Sequence, residues 1–218
     1  GYHHPSIAVE TGGGVYFLDA GENAGYAAHL AGVDLLKTKA IFLSHPHMDH
    51  VGGLGNLLWY LRKLNYVSGY VLGERDTIRI FTPCMDTVEG FFTVLAHTEG
   101  NFWTEYNHSV TRIDTGELYH ENGVRVEAMP TRHMAPADGV PQSFGFRLES
   151  EDKSVVFSGD MRLEDVPLLL GSGCDLFMAE TGHHAVADVC RAVNQAGVPV
   201  KTLCFVHHGK EIRHDPVR

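Results

Sequence analysis

Ser44-His45-Pro46-His47-Met48-Asp49-His50 is the stretch that decides the reading of this chain. It follows an apolar run, AIFLS at 40–44. It precedes Leu54, Leu57, Leu58, Leu61 and Leu64, which recur at the three-and-four spacing of a core-facing helix. The histidines and the acid therefore lie on the link between a buried strand and a buried helix. Side chains alternate in an extended link, so His45 and His47 point the same way, which suits two imidazoles on one metal ion. Asp49 and His50 follow where the chain turns into the helix, and can point towards a second ion. Imidazole with carboxylate suits zinc, with iron or manganese as alternatives.

Working outward, the same arrangement recurs. VYFL at 15–18 reads as a strand ending at Asp19, and VRVEAM at 124–129 as a strand before His133. FGFRL at 144–148 and SVVF at 154–157 read as a hairpin around the charged 149–153, ending at Asp160. LCFV at 203–206 ends at His207, with His208 as its competitor, since strand alternation lets only one of the two face a site. Further strands are expected at TIRIF 77–81 and DLFMA 175–179. Helices are expected over 26–31, around Val88, Phe91, Phe92 and Leu95, and from Val186 through Val189, Cys190 and Val193 to Gly197. Polar residues just past the ends of strands are how sites are built at one edge of a packed sheet. His133, Asp160 and His207 can complete the two metal shells. Asp160 can bridge ions roughly 3.5–4 Å apart, with a hydroxide between them as nucleophile.

Composition narrows the partners. The chain has 218 residues, 17 Lys and Arg against 27 Asp and Glu, and a formal charge of −10. That argues against a fold-wide grip on a long nucleic acid and leaves room for a small anionic substrate. No apolar run is long enough to cross a bilayer, and no signal peptide is read, so a cytoplasmic protein is expected. Cys84, Cys174, Cys190 and Cys204 form no CxxC pair and read as buried free thiols of a reducing compartment.

SHPHMDH at 44–50, TRH at 131–133, FSGD at 157–160, FVHHG at 205–209 and LDAG at 18–21 resemble, in order, the motifs of the metallo-β-lactamase-fold superfamily of metal-dependent hydrolases. The resemblance covers nearly the whole chain. It implies an α/β fold, a four-layer αββα sandwich of two mixed sheets flanked by helices, formed by residues 1–218 as a single domain with room for trimming at both termini. It further implies that His45, His47 and His133 bind a first metal, that Asp49, His50 and His207 bind a second, and that Asp160 bridges. TIRIFTP at 77–83, RIDTGE at 112–117, SFGFRL at 143–148 and AETGHH at 179–184 resemble the ribonuclease Z and small-phosphodiesterase branch. The long arm with which ribonuclease Z clamps tRNA has no counterpart.

The function expected is hydrolysis, foremost of a phosphodiester, at a centre of two divalent metal ions. Zinc is expected first, with Mn2+ or Fe2+ as alternatives. Asp49 would orient the hydroxide. Glu180 and His184 would serve the leaving group, although the spacing leaves His183 open, and a helix start capped by Thr181 is the plainer reading of that segment. A lactone or thioester hydrolase and a non-catalytic metal-binding or ligand-sensing protein are the alternatives. A homo-oligomer is allowed. Asp19 is read either as a support for the metal-ligand loop or as a turn residue. His97, His108, His120 and His214 read as surface residues, Phe91 and Phe92 as core, and Phe102 and Trp103 as a lid.

Overall fold

The computed structural model describes residues 4–68, 77–98 and 106–209. The chain divides into two compact units, residues 3–113 and 114–218.

The first unit is built on β1 (Ile7–Thr11), β2 (Gly14–Leu18), β3 (Thr38–Phe42), β4 (Ile78–Thr82) and β5 (His108–Arg112), in that order across one sheet. β1 and β2 are antiparallel, while β2 to β5 run parallel. Every residue of β2 is buried, as expected of a strand covered on both faces. Parallel pairing with Leu18 opposite Phe42 and Phe42 opposite Phe81 brings the ends of these strands to one edge, where the functional loops begin. Helices α1 (Ala24–Leu30), α2 (Met48–Val51), α3 (Leu54–Ser68) and α4 (Met85–Ala96) complete the unit. The apolar stripe of α3 works as its spacing predicts. Leu54, Leu57, Leu58 and Leu61 are buried with Phe17, Ile41, Leu43 and Ile80, and Leu64 packs against them. Val88 and Leu95 of α4 join this core, with Phe91 and Phe92 half-buried against it.

The second unit carries β6 (Gly116–Glu121), β7 (Val124–Pro130), β8 (Phe144–Ser150), β9 (Lys153–Phe157), β10 (Cys174–Thr181) and β11 (Val200–His208). The sheet order is β11-β10-β9-β8-β7-β6, antiparallel from β6 to β9 and parallel from β9 to β11. The expected hairpin turns at Glu151 and Asp152, both at positive φ (52° and 56°), as a two-residue turn matching strand twist requires. α5 (Val166–Leu170) and α6 (Val186–Ala196) pack on this sheet through Val166, Leu169, Leu170, Val189 and Val193. α6 stops where Gly197 takes the left-handed conformation.

β5 and β6 carry no apolar run, and sequence patterning missed both. They are edge strands, largely open to solvent, on which Tyr119 is buried and Val110 packs against the core, too little for an apolar run. The cysteine expectation needs correction. Only Cys174 is buried; Cys84 and Cys190 are half-buried, and Cys204 is exposed on β11, another edge strand. Burial pushes the Cys174 thiol up from its ordinary range. His97, His108 and His120 lie at the surface as expected. Phe102, Trp103 and His214 lie outside the described residues. Tyr106, from the same aromatic stretch, is core. It is buried, donates its hydroxyl to the Leu58 carbonyl at 3.1 Å, and its phenol is pushed well up by burial.

Candidate metal centre

In the first unit the donors are set by one buried carboxylate. Asp19 stands just past β2 at φ 62°, a conformation that Asp tolerates better than most residues. Its Oδ1 accepts from the Ser44 backbone N–H at 2.6 Å, and its Oδ2 accepts from the Ser44 hydroxyl at 2.8 Å. The same Oδ2 is 2.6 Å from Nδ1 of His50. With its proton given to Asp19, the Ser44 oxygen can accept from Nδ1 of His45, 3.0 Å away. Both imidazoles are thereby held through Nδ1, in the tautomer that leaves the Nε2 lone pair as the candidate ligand atom. Nε2 of His45 lies 3.0 Å from Nδ1 of His47, and Nε2 of His50 lies 3.8 Å from an Asp49 oxygen. His45 and His50 are buried, Asp49 is half-buried and His47 is exposed. Asp19 is thus both a turn residue and the support of the loop that carries the candidate ligands His45 and His50.

The loop keeps this shape because two backbones nearly touch. Ala20 donates to the His50 carbonyl and Gly53 to the Ala20 carbonyl, both at 2.8 Å. A Cβ on Gly53 would sit 2.0 Å from the Gly21 carbonyl oxygen, so only glycine fits.

In the second unit the centre of the site is Asp160, whose side chain is 3% exposed. Its Oδ2 is 3.5 Å from Nε2 of His133 and 3.7 Å from Nδ1 of His183, while its Oδ1 is 4.0 Å from Nε2 of His207. Ligand atoms of Asp160, Glu180, His183 and His207 all lie within 4.8 Å of one another. The separations of 3.5 and 4.0 Å from Asp160 to His133 and His207 are long for hydrogen bonds and suit donors that each approach a common ion to roughly 2.0–2.2 Å. The donor set, imidazoles around a carboxylate, therefore fits a divalent metal.

His133 and Asp160 follow β7 and β9 as expected. His207 is different: it lies inside β11, at φ 49°, where the register with β10 shifts at Glu180 and Thr181. That irregularity turns its ring over Gly182, where a Cβ would come within 2.0 Å of Nδ1 of His207. His208 is turned instead to the Thr181 hydroxyl, 3.1 Å away.

The two neighbouring histidines, His183 and His184, are placed differently. Nε2 of His184 points at the Met161 carbonyl, 3.0 Å away, where it must donate. His183 is the one beside Asp160, and its ring stacks on His207 with centroids 5.6 Å apart. Glu180 is buried. Its Oε2 accepts from the backbone N–H groups of Gly182 and His183 at 2.7 and 3.0 Å, and its Oε1 is 3.2 Å from Nδ1 of His183. The spacing could not separate His183 from His184, because the loop after Thr181 is folded around the Glu180 carboxylate rather than extended. Also missed were Ser44, Ser158, whose hydroxyl oxygen accepts from the Glu180 backbone N–H at 3.0 Å, and Thr131, whose hydroxyl bonds the Asp160 carbonyl and lies 2.9 Å from that of Ser143. Their one signal is a small hydroxyl residue placed beside a ligand or at a strand end.

Ribonuclease Z of Mycobacterium sp. (strain KMS) is 27% identical over 159 residues, 72% of this chain and 54% of that protein. The chain thus spans about half the length of that relative. Human tRNase Z, short form, superposes with a TM-score of 0.72 at 16% identity, covering 96% of this chain and 87% of that one. The metallo-β-lactamase fold protein YhfI from Bacillus subtilis superposes with a TM-score of 0.71 at 16% identity, covering 95% and 80%. The chain has the metallo-β-lactamase fold that its motifs led one to expect. The family model described as anti-Pycsar protein Apyc1 matches residues 1–181, and the chain belongs to that family.

Proposed function

We propose that this protein is a metal-dependent hydrolase of a phosphodiester, working at one centre of two divalent ions, zinc foremost. In this reading the two units act as a single domain. His45, His47 and His133 hold one ion, Asp49, His50 and His207 hold the other, and Asp160 is shared. The observation that carries the proposal is the placement of the Asp160 carboxylate. One oxygen faces His133 and the other faces His207, as a carboxylate shared by two ions requires. Two ions held there supply a water that is nucleophilic at neutral pH and charge to offset that developing on the phosphoryl oxygens.

The chain's own residues would do the rest. Asp49 orients the attacking water. His183, with Nδ1 committed to Glu180 Oε1, keeps Nε2 to hold a proton for the leaving oxygen. Its side chain is 44% exposed, so a substrate can reach it, whereas Nε2 of His184 is spent on a backbone carbonyl.

The formal charge of −10 supports a small anionic phosphodiester over a long RNA. The family description supports an activity directed against Pycsar. Among the described residues no helix is long and apolar enough to cross a membrane, and a cytoplasmic enzyme is the reading adopted.

The test is a panel of a phosphodiester, a thioester, a lactone and a β-lactam ester given to zinc-loaded protein. Turnover of the phosphodiester alone is expected. Lactone or thioester turnover with silence on the phosphodiester would overturn the proposal, and silence on all four would leave a binding protein.

A further inference from the structure

Asp165 is a buried carboxylate, 3% exposed, in a short turn that leads from Asp160 into α5. Its Oδ2 accepts two backbone N–H groups, that of Arg132 and that of Arg162, each at 2.8 Å. Arg132 is the residue before His133, and Arg162 comes two after Asp160. One oxygen atom therefore ties together the two loops that carry these side chains. Its other oxygen is 3.5 Å from Nε of Arg132, whose side chain is 70% exposed, so that cation is largely screened by water. A second tie runs alongside. The Thr131 hydroxyl lies 2.8 Å from the Asp160 carbonyl oxygen and 2.9 Å from the Ser143 hydroxyl, and the backbone N–H of Met134 reaches that same Ser143 oxygen at 3.1 Å.

We infer that Asp165 is a positioning residue for the metal centre: it sets the separation between His133 and Asp160 by clamping the backbones on which both are mounted. The inference rests on the reading of His133 and Asp160 as metal ligands. The physical need is plain. β7 and β9 are not neighbours, since β8 lies between them in the sheet, so the ladder alone does not fix how their loops approach. A charged acceptor shared by two N–H groups does fix it, because charge-assisted bonds are short and stiff. Groups one bond removed from a metal ligand hold it in place, and their loss costs metal affinity although they never touch the ion.

The experiment uses three variants of the full chain: Asp165→Ala, Asp165→Asn and, as control, Asp175→Ala. Asp175 is a second carboxylate that accepts a backbone N–H, from Ser154 at 2.9 Å, at the opposite end of β10 from Glu180. Zinc affinity is measured by competition with a chromophoric chelator, well below each variant's melting temperature. The visible spectrum of the Co2+-loaded protein is recorded beside it. Asp165→Ala should weaken zinc about tenfold or more and shift the Co2+ bands. Asp165→Asn should stay within about threefold of the parent, because its amide oxygen can still accept both N–H groups, though as a neutral acceptor. Asp175→Ala should lose stability and keep the parent's zinc affinity and spectrum. Parent-like zinc binding in Asp165→Ala would overturn the inference, as would equal losses in Asp165→Asn and Asp165→Ala. A parent protein that binds neither metal would sink the metal centre itself, and this inference with it.

Discussion

Buried carboxylates do most of the organising at the scale of single residues. Asp19, Asp165 and Glu180 each accept from backbone N–H groups beside a candidate ligand, and each is nearly inaccessible to water. Such acids cannot be told from turn residues in a sequence, because what distinguishes them is the distant backbone they reach. This is why the sequence leaves Asp19 ambiguous, and why Asp165, five residues past Asp160, carries no mark there at all. Asp175 stands apart from these three, on β10 at the end away from Glu180. Its carboxyl is pushed down to about 2, first by the hydrogen bond from the Lys201 ammonium and next by the Ser154 backbone N–H. A carboxyl depressed by folding adds stability that is fully present above its unfolded value of about 3.9 and is lost as pH falls towards its folded value. Carboxyl-carbon NMR should therefore show Asp175 titrating near pH 2 at low salt and higher at high salt, because Lys201 is exposed and screened. A midpoint close to the unfolded value at low salt would mean that the tie between β10 and β11 is not made in solution.

Elements were legible in proportion to how much they bury. α3, α4 and α6 announce themselves through apolar spacing, and β2 and β3 through runs that sheets cover. The edge strands β5 and β6 carry no such imprint, and β11 runs further than LCFV implied because its residues are only partly covered. Links between elements follow a different rule, in which the limiting quantity is the closeness of two backbones. Gly53→Ala would drive a Cβ against the Gly21 carbonyl between β2 and α3. Overpacking against rigid backbone should cost about 3 kcal/mol of unfolding free energy. Gly90 is the opposite case, an exposed glycine inside α4 where an added Cβ would meet nothing within 4 Å, so Gly90→Ala should stabilise by about 1 kcal/mol. Urea unfolding of the metal-free protein checks both, and the same sign for the two would refute the argument from space.

For the whole molecule, the decisive fact is that the candidate donors are split between the units. His45, His47, Asp49 and His50 belong to residues 3–113, and His133, Asp160 and His207 to 114–218. Motif order made the resemblance to the superfamily legible, and with it the seven candidate ligands. The motifs do not say which donors share an ion, since that is a statement about space. Stoichiometry can answer without any assumption about activity. If His47 and His133 hold the same ion, His47→Ala and His133→Ala should each reduce zinc from two ions per chain towards one, and the double variant should hold no less than either single. Coupling of this kind is the mark of residues that act on one shared group. If each unit binds its own ion, the losses add and the double variant falls towards none. Elemental analysis of the three proteins after dialysis against a weak chelator distinguishes the outcomes, and additive loss would replace one shared centre by two separate ones.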